Sequence, residues 1–376
     1  MKITAINSHI GFGPRYPWVF ITIETDEGLT GLGQAQGGIA AHMIHASIPH
    51  LSDFLVGEDS SRIDYIWTRL FSDLNSTGNR GFGSALISAV DIALWDLKGK
   101  RLGLPIYELL GGKFRDDLRL YSNGWFNRGP TPEGYAQAAF ETIAEGHTAL
   151  KMDPFFEFDD VSPLQHGHNI SPTGLRKGVE ITRAVRNAVG PDIEILIDLH
   201  GRYDVAAAVR VGKALGEFDI GWLEEPVPPE NHDALALVKD QVPMPICVGE
   251  RLVTRWDFRP ILDRQLANYI MPDIVRCGGI SEMRKIATMA EAYYIPVSPH
   301  DATGPITMAA GAQVMMSTPN FYRLEIAYSE LPYYNAALTP PLDVRNGFYH
   351  VPNTPGLGHE LNPDYIAAGP NVPLGK

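Results

Sequence analysis

The chain has 376 residues, of which 44% are hydrophobic and 20% are charged, and these values exclude a largely disordered protein. The formal net charge of −13 argues against nucleic acid and anionic membranes as partners, because both require a basic surface. The sequence has no apolar run of transmembrane length and no signal-peptide layout, so a cytoplasmic protein is expected. Two cysteines, Cys247 and Cys277, are too few for a disulfide scaffold.

Residues 1–112 are predicted to form a small α+β domain. Two strand-like runs flank an Asp-Glu-Gly turn and predict a hairpin near residues 18–34. Apolar residues at helical spacing follow in SALISAVDIALWDLKGKRLG, where Ser84 is a candidate N-cap and Gly103 a candidate stop.

From residue 113 to residue 325 the pattern changes to short apolar runs that alternate with helix-like segments. Strands are predicted near residues 118–122, 148–153, 194–200, 220–225, 246–250, 268–273, 295–300 and 321–325. Eight strand–helix units favour a closed parallel α/β barrel over an open sheet, and no GxGxxG follows the first of these strands. Residues 326–376 are expected to pack back on the first domain as an extended tail.

Three of the predicted strands end in a carboxylate: Asp198, Glu224 and Glu250, at intervals of 26 residues. The interval suits one strand–helix unit of a barrel, so each carboxylate is expected on top of an adjacent strand. Strand alternation places His200 on the same face as Asp198. Three carboxylates brought together repel one another unless a cation compensates, and Mg²⁺ suits ligands that are all oxygen. Alternatively, these acids cap helices or pair with lysines.

The remaining strand ends carry a candidate base and two further charged groups. Asp273 and His300 follow on neighbouring strands, where Asp273 can accept from one ring nitrogen and leave the other as a general base. Lys151 is expected to bind a substrate carboxylate across the barrel mouth from Glu325. A protonated Glu325 could then donate to a developing oxyanion. Each of these two residues could instead be half of a surface ion pair.

Taken together, these residues resemble the enolase superfamily, mandelate racemase subgroup, over essentially the whole chain. The resemblance rests on DIALWDLKGKRLGLPIYELLGG in the first domain, on WLEEP and GER around two of the carboxylates, and on the residues Asp198, Glu224, Glu250, Asp273 and His300. It implies a capping domain over a modified (β/α)₇β barrel, one Mg²⁺ per subunit, and abstraction of the proton α to a carboxylate to give an enediolate. Relatives are commonly symmetric assemblies, so a homo-oligomer is expected.

Two details indicate the branch of the subgroup. Racemases usually carry Lys-x-Lys on the second barrel strand, whereas this chain has Lys151-Met152-Asp153, which disfavours racemisation by two bases. The Asp-x-His-Gly-Arg stretch at 198–202, with PHDATGP, resembles the galactonate and gluconate dehydratases, and by that resemblance His200 is the general acid. The implied substrate is a sugar acid such as galactonate, gluconate or an arabinonate-like acid. Arg202 and Asp153 are candidate substrate-binding residues, although Arg202 could instead brace the metal carboxylates.

Two other functions stay open at this point. A racemase, epimerase or cycloisomerase could use the same enediolate, and a binding protein could have kept the metal site without turnover. Specificity is expected from the 11–18 loop, from the long loop after Asp153 with His166 and His168, and from Asn123 and Trp125.

Overall fold

The structure is a computed structural model that describes residues 1–38, 40–76, 78–156 and 167–367. Its first part is an antiparallel sheet with helices packed against it. The sheet has the order β1-β2-β3, formed by β1 (Ile3–Phe12), β2 (Pro17–Thr25) and β3 (Thr30–Ala35). The helices are α1 (Ala40–Leu55), α2 (Ile63–Asp73), α3 (Phe82–Leu102) and α4 (Ile106–Leu109). The antiparallel pairing of β2 with β3 confirms the predicted hairpin.

Helix α3 connects this part to the rest of the molecule and is buried along most of its length. It begins two residues before the predicted cap: Ser84 lies inside the helix, where its hydroxyl donates to the carbonyl of Gly81. Gly103 ends it with a left-handed φ of 68°, the conformation that favours glycine at this position. On the buried face, Asp96 accepts hydrogen bonds from the backbone amides of Leu32 and Leu357, each at 2.8 Å.

The second part is a modified (β/α)₇β barrel, which confirms the predicted fold class. Its strands are β4 (Leu118–Asn123), β5 (Ala149–Met152), β6 (Glu194–Asp198), β7 (Ile220–Glu224), β8 (Ile246–Val248), β9 (Tyr269–Ile270) and β10 (Leu324–Ala327). They pair in parallel from β4 to β9, and β10 closes the ring by pairing with β4. The predicted seventh strand is present as single bridges from Val297 to Ile270 and to Phe321.

Helices surround these strands. They are α5 (Pro132–Ala144), α6 (Pro172–Val189), α7 (Val205–Leu215), α8 (His232–Lys239), α9 (Thr254–Asp263), α10 (Gly279–Glu291) and α11 (Pro305–Met316), with a 3₁₀ turn at Gly216–Phe218. Inside the ring lies a separate apolar cluster that includes Tyr121, Leu196 and Trp222. Leu196 and Trp222 precede Asp198 and Glu224 by two positions, so strand alternation aims both carboxylates inward above this cluster.

Several predicted strands end earlier than the sequence pattern indicated. β6 ends at Asp198, and His200 has a left-handed φ of 53°, so the expectation that His200 continues the strand alternation is wrong. β8 ends at Val248 and β9 at Ile270, which leaves Glu250 and Asp273 on the connections that follow. The chain therefore turns at the barrel rim, and side chains beyond the strand ends reach the mouth from loops.

The segment after β10 runs back along the capping domain. It contains a 3₁₀ turn at Tyr328–Glu330 and the short elements α12 (Leu331–Ala337), β11 (Leu338–Thr339), β12 (Val344–Arg345), β13 (Phe348–Tyr349), β14 (Glu360–Leu361) and α13 (Pro363–Ala367). The hydroxyl of Tyr365 donates to the carbonyl of Phe12 at 3.0 Å, and the amide of Ile106 donates to the carbonyl of Gly356 at 3.1 Å. The boundaries at residues 112 and 325 stay predictions. Within the described parts of the chain, no helix combines the length and the apolarity needed to cross a bilayer.

Candidate active site

The three predicted metal carboxylates lie close together at the barrel mouth. Asp198 and Glu224 are paired in register on adjacent strands, and Glu250 follows the next strand by two residues. All three are buried, with exposed fractions of 3%, 0% and 4%. A buried carboxylate needs a compensating charge or a proton, so this cluster requires positive charge nearby.

Lys151 supplies part of that charge from β5. Its Nζ lies 2.7 Å from Glu224 Oε1, 2.9 Å from Glu325 Oε1 and 3.5 Å from Asp198 Oδ2. The side chain is 1% exposed. The structure therefore places Lys151 at the centre of the carboxylates, while its predicted contact with a substrate carboxylate stays a prediction.

The donor set suits a hard divalent cation, although the described residues contain no group of three His, Cys, Asp or Glu side chains already arranged around a metal position. Protein cations occupy the carboxylate oxygens instead: Lys151 contacts two of the three acids and His300 contacts Glu250. Burial, together with the negative charges of Asp198 and Glu325, raises the pKa of Glu224 well above its usual value. The mutual repulsion of these carboxylates is what a divalent ion with oxygen ligands would relieve.

His300 and Asp273 form the first of two histidine–aspartate pairs. Nδ1 of His300 lies 2.8 Å from Asp273 Oδ2, and Nε2 lies 2.9 Å from Glu250 Oε2. Burial opposes protonation of the ring, but the negative charges of Glu250 and Glu325 outweigh it and raise the pKa of His300. The ring is therefore held by Asp273, and its second nitrogen points at the carboxylate cluster.

His200 and Asp153 form the second pair, which the sequence did not predict as a pair. Nδ1 of His200 lies 2.8 Å from Asp153 Oδ2, and Nε2 lies 3.3 Å from Asp198 Oδ2. Burial opposes protonation, but the charges of Asp198 and Asp153 raise the pKa of His200 to about 9. His200 has a left-handed backbone conformation, and its ring reaches the carboxylate cluster through Asp198. Its role as the acid stays a prediction.

Arg202 holds Asp153 from the other side. Its Nη1 lies 2.8 Å from Asp153 Oδ2, and Nη2 donates to Oδ1 at 3.0 Å. Such a forked contact fixes the plane of the carboxylate. Both residues were predicted to bind substrate, and that role stays a prediction. Besides the amide of Phe155 and the hydroxyl of Tyr203, the two side chains contact each other, and Asp153 contacts the ring of His200. They are thus placed to orient that ring.

Glu325 lies within β10 and is held as an acceptor. Asn123 donates to its Oε1 at 2.8 Å, and the backbone amide of Asp301 donates to its Oε2 at 3.1 Å. Burial would raise its pKa, but the charges of Lys151 and His300 lower it instead. This contradicts the expectation of a protonated Glu325, because a carboxylate with a buried lysine at 2.9 Å is stabilised in its ionised form.

Sequence reasoning missed two arginines that border the site. Arg251 forms ion pairs with Glu225 and Glu250, and Arg276 donates from Nη1 to the carbonyl of Glu250 at 3.0 Å. Nε of Arg276 also lies 3.5 Å from Asp273 Oδ2. A signal in the sequence could have identified them: Arg251 directly follows Glu250, and Arg276 lies three residues after Asp273.

The predicted specificity residues are distributed around the mouth. The indole of Trp125 donates to the carbonyl of Lys151 at 2.8 Å, and Tyr16 of the 11–18 loop donates to the carbonyl of Ala302 at 2.9 Å. The ring of His168 packs edge-on against Tyr203. His166 lies outside the described residues.

Comparison with known proteins places this arrangement in a family. Residues 8–111 match the sequence model of the mandelate racemase / muconate lactonizing enzyme N-terminal domain, and residues 134–365 match that of the enolase C-terminal domain-like family. A solved structure described as a member of the enolase superfamily from Salmonella Typhimurium superimposes with a TM-score of 0.92. It is 34% identical to this chain, and the match covers 98% of both chains.

Curated relatives have related activities. The D-gluconate/D-galactonate dehydratase of Picrophilus torridus is 35% identical over 95% of this chain and 84% of its own length. The D-galactarolactone cycloisomerase of Agrobacterium fabrum is 33% identical over 97% of this chain and 98% of its own. Dehydratases of this kind are hydro-lyases that act on sugar acids. These matches confirm the resemblance seen in the sequence: the chain belongs to the mandelate racemase / muconate lactonizing enzyme family of the enolase superfamily.

Proposed function

We propose that the protein is a Mg²⁺-dependent sugar acid dehydratase, a carbon–oxygen lyase. It removes the C2 proton of an aldonic acid and eliminates the 3-hydroxyl as water, giving a 2-keto-3-deoxy acid. One observation supports this assignment above others: two histidines, each held by its own aspartate, flank a single cluster of buried carboxylates. Elimination of water needs a base and an acid at neighbouring carbons, and this arrangement provides both.

His300 is the base in this proposal. Its Nδ1 is held by Asp273, so Nε2 is the nitrogen that takes the C2 proton. The negative charges of Glu250 and Glu325 stabilise the imidazolium that forms once Nε2 has taken the proton. Its side chain is 8% exposed, so little water competes for this nitrogen.

His200 is the acid. Its raised pKa keeps the ring protonated at neutral pH, and the Asp153–Arg202 contact fixes the ring plane. As the C3–O bond breaks, the oxygen leaves with the bonding electrons and takes the proton of His200, so that water departs. The enol that remains tautomerises to the 2-keto acid by losing the proton of its 2-hydroxyl and gaining a proton at C3.

Asp198, Glu224 and Glu250 are the residues that would hold the metal. Members of the enolase superfamily generally depend on Mg²⁺, which when bound supplies charge stabilisation of about several kcal/mol at a carboxylate whose α-proton is being removed. The chain itself contributes Lys151. Its ammonium lies beside Asp198 and Glu224, and in this proposal it binds the substrate carboxylate. Glu325, whose pKa is lowered by the charges of Lys151 and His300 despite its burial, contacts both Lys151 and Asn123.

The proposal extends to the setting of the enzyme. It works in the cytoplasm on a small sugar acid, as a homo-oligomer, and without nucleic acid or membrane as partners. The net charge of −13 supports the last two exclusions.

The main rival function is that of a cycloisomerase or epimerase that uses the same base, as the named relative from Agrobacterium fabrum suggests. In that rival, His200 would position substrate without donating to a leaving hydroxyl.

The test is a screen of stereoisomeric hexonic and pentonic acids with Mg²⁺, in which 2-keto acid formation is followed as the semicarbazone. We expect at least one acid to give a 2-keto-3-deoxy product. A product isomeric with its substrate, with no water lost, would favour the rival. No turnover of any acid by the metal-loaded protein would favour the binding-protein alternative.

A further inference from the structure

A cavity of about 310 Å³ lies between the capping domain and the barrel. Gln36 and Gly81 line it from the capping domain, and Arg251, Val253 and Arg276 line it from the barrel. None of these residues takes part in the proton transfers proposed above. The cavity therefore holds two guanidinium groups that the chemistry at C2 and C3 does not use.

The cavity is next to the candidate active site. Arg251 directly follows Glu250 and forms an ion pair with it, while Arg276 donates to the carbonyl of that same residue. Nε of Arg276 lies 3.5 Å from the carboxylate that holds His300. A substrate bound with C2 at His300 would thus have one of its ends beside this cavity.

Both guanidinium groups keep donors that can face the cavity. A guanidinium has five N–H donors in a planar fork. The ion pairs of Arg251 with Glu225 and Glu250 both involve Nη1. Arg276 uses Nη1 for the carbonyl of Glu250, and its Nε lies 3.5 Å from Asp273 Oδ2, so Nη2 is the nitrogen that is left for the cavity. Forked donors of this kind match a carboxylate, which accepts two parallel hydrogen bonds.

We propose that this cavity binds a second carboxylate at the far end of the substrate, so that the preferred substrate class is an aldaric acid, a sugar diacid, over the matching aldonic acid. The proposal rests on the proposed function, because it assumes that the first carboxylate is held near Lys151. The amide of Gln36, on the facing wall, adds a neutral donor. An uncharged C6 hydroxyl would make weaker hydrogen bonds to the same groups.

The test measures binding separately from turnover. Calorimetry on the Mg²⁺-loaded His300→Asn variant compares galactarate with D-galactonate and glucarate with D-gluconate, pairs that differ only in the oxidation of C6. We expect the diacid to bind about tenfold more tightly in at least one pair, because charge-assisted hydrogen bonds are roughly twice as strong as neutral ones. Equal affinity in both pairs, or binding of neither member of either pair, would overturn the proposal.

A matched pair of variants tests the cavity itself. In the His300→Asn background, Gln36→Glu adds one negative charge at nearly constant shape, and Gln36→Met removes the amide at similar length without adding charge. The diacid preference should fall further in Gln36→Glu than in Gln36→Met. The same decrease in both variants would contradict a site selective for charge. If 6-phosphogluconate binds more tightly than either diacid, the cavity is a phosphate site and the diacid assignment is wrong.

Failure of this inference differs from failure of the proposed function. If wild-type protein dehydrates D-galactonate but the variant shows no diacid preference, the inference alone is wrong. If wild-type protein turns over no sugar acid and the variant still prefers galactarate, the dehydratase assignment is wrong and the cavity assignment stands.

Discussion

The two histidine–aspartate pairs of the barrel mouth look alike in distance but differ in surroundings. Each joins Nδ1 to a carboxylate oxygen at 2.8 Å. The side chain of His300 is 8% exposed, whereas that of His200 is 37% exposed. This difference suits the roles proposed for the two rings: a base that removes a weakly acidic proton benefits from exclusion of water, while an acid that releases water needs a route outward.

The backbone differs as well. His300 lies in an extended segment bridged to Asp273 by the sheet pattern, so the position of the pair follows from the barrel itself. His200 has a left-handed conformation outside the strand, and its aspartate depends on Arg202 for orientation. We therefore expect the second pair to be more sensitive to changes in its supporting residues.

The largest effect is expected from His300→Asn. Loss of the base should lower both dehydration and exchange of the C2 proton with solvent deuterium, by about 10³-fold or more, the upper range for general base catalysis. Mass spectrometry of recovered substrate measures the exchange, and the semicarbazone assay measures dehydration. Retention of exchange in this variant would show that another group removes the proton.

His200→Asn should separate the two reactions. Dehydration is expected to fall by about 10²-fold to 10³-fold, because the leaving hydroxyl loses its proton donor, whereas C2 exchange should remain detectable. The same two assays apply. Full dehydration in this variant would show that His200 is not the acid, and that only the His300–Asp273 pair takes part in the reaction.

A smaller effect is expected from Asp153→Asn, by about 10-fold to 100-fold in kcat, comparable to the loss of a residue that orients a functional histidine. KM should change little if Asp153 orients His200. A raised KM with unchanged kcat would instead restore Asp153 as a substrate-binding residue. Thermal unfolding of the variant checks that Arg202, left without its full carboxylate partner, has not destabilised the fold.

The smallest effect is expected from Asn123→Ala. It removes the 2.8 Å hydrogen bond to Glu325, and a bond to a charged group is worth about 1.5–3 kcal/mol, of which only part affects the reaction. We expect kcat to fall about tenfold or less, with dehydration and exchange lowered together, because Glu325 lies on the His300 side. The exposed Asn127→Ala is the matched control. A selective loss of dehydration would connect Asn123 to the acid side.

The sequence predicted the barrel because strand and helix periods alternate strongly, and it predicted the three carboxylates because their spacing equals one repeating unit. It did not predict the pairing of Asp153 with His200. That pairing depends on the left-handed backbone conformation of His200 after the end of β6 at Asp198, and the alternating pattern of a strand does not predict such a conformation. Histidine is among the residues that adopt this conformation more readily, but the pattern alone does not say where it will do so.

The sequence also could not show that the pKa of Glu325 is lowered. That shift depends on Lys151, whose Nζ lies 2.9 Å from Oε1 of Glu325 although the two residues are far apart in the chain. The two arginines of the cavity were missed for a similar reason: although each follows a predicted strand-end acid, only the packing of Gln36 and Gly81 opposite them makes them line a cavity.

Asp96 has a consequence for how the chain can be engineered. One buried carboxylate anchors the amides of both Leu32 and Leu357, so the same side chain holds a strand of the capping domain and a segment near the C-terminus. Removing the C-terminal residues from Leu357 onward would take away the amide that donates to Oδ1 of Asp96. We expect truncation there to destabilise the capping domain, although every side chain proposed for catalysis would still be present.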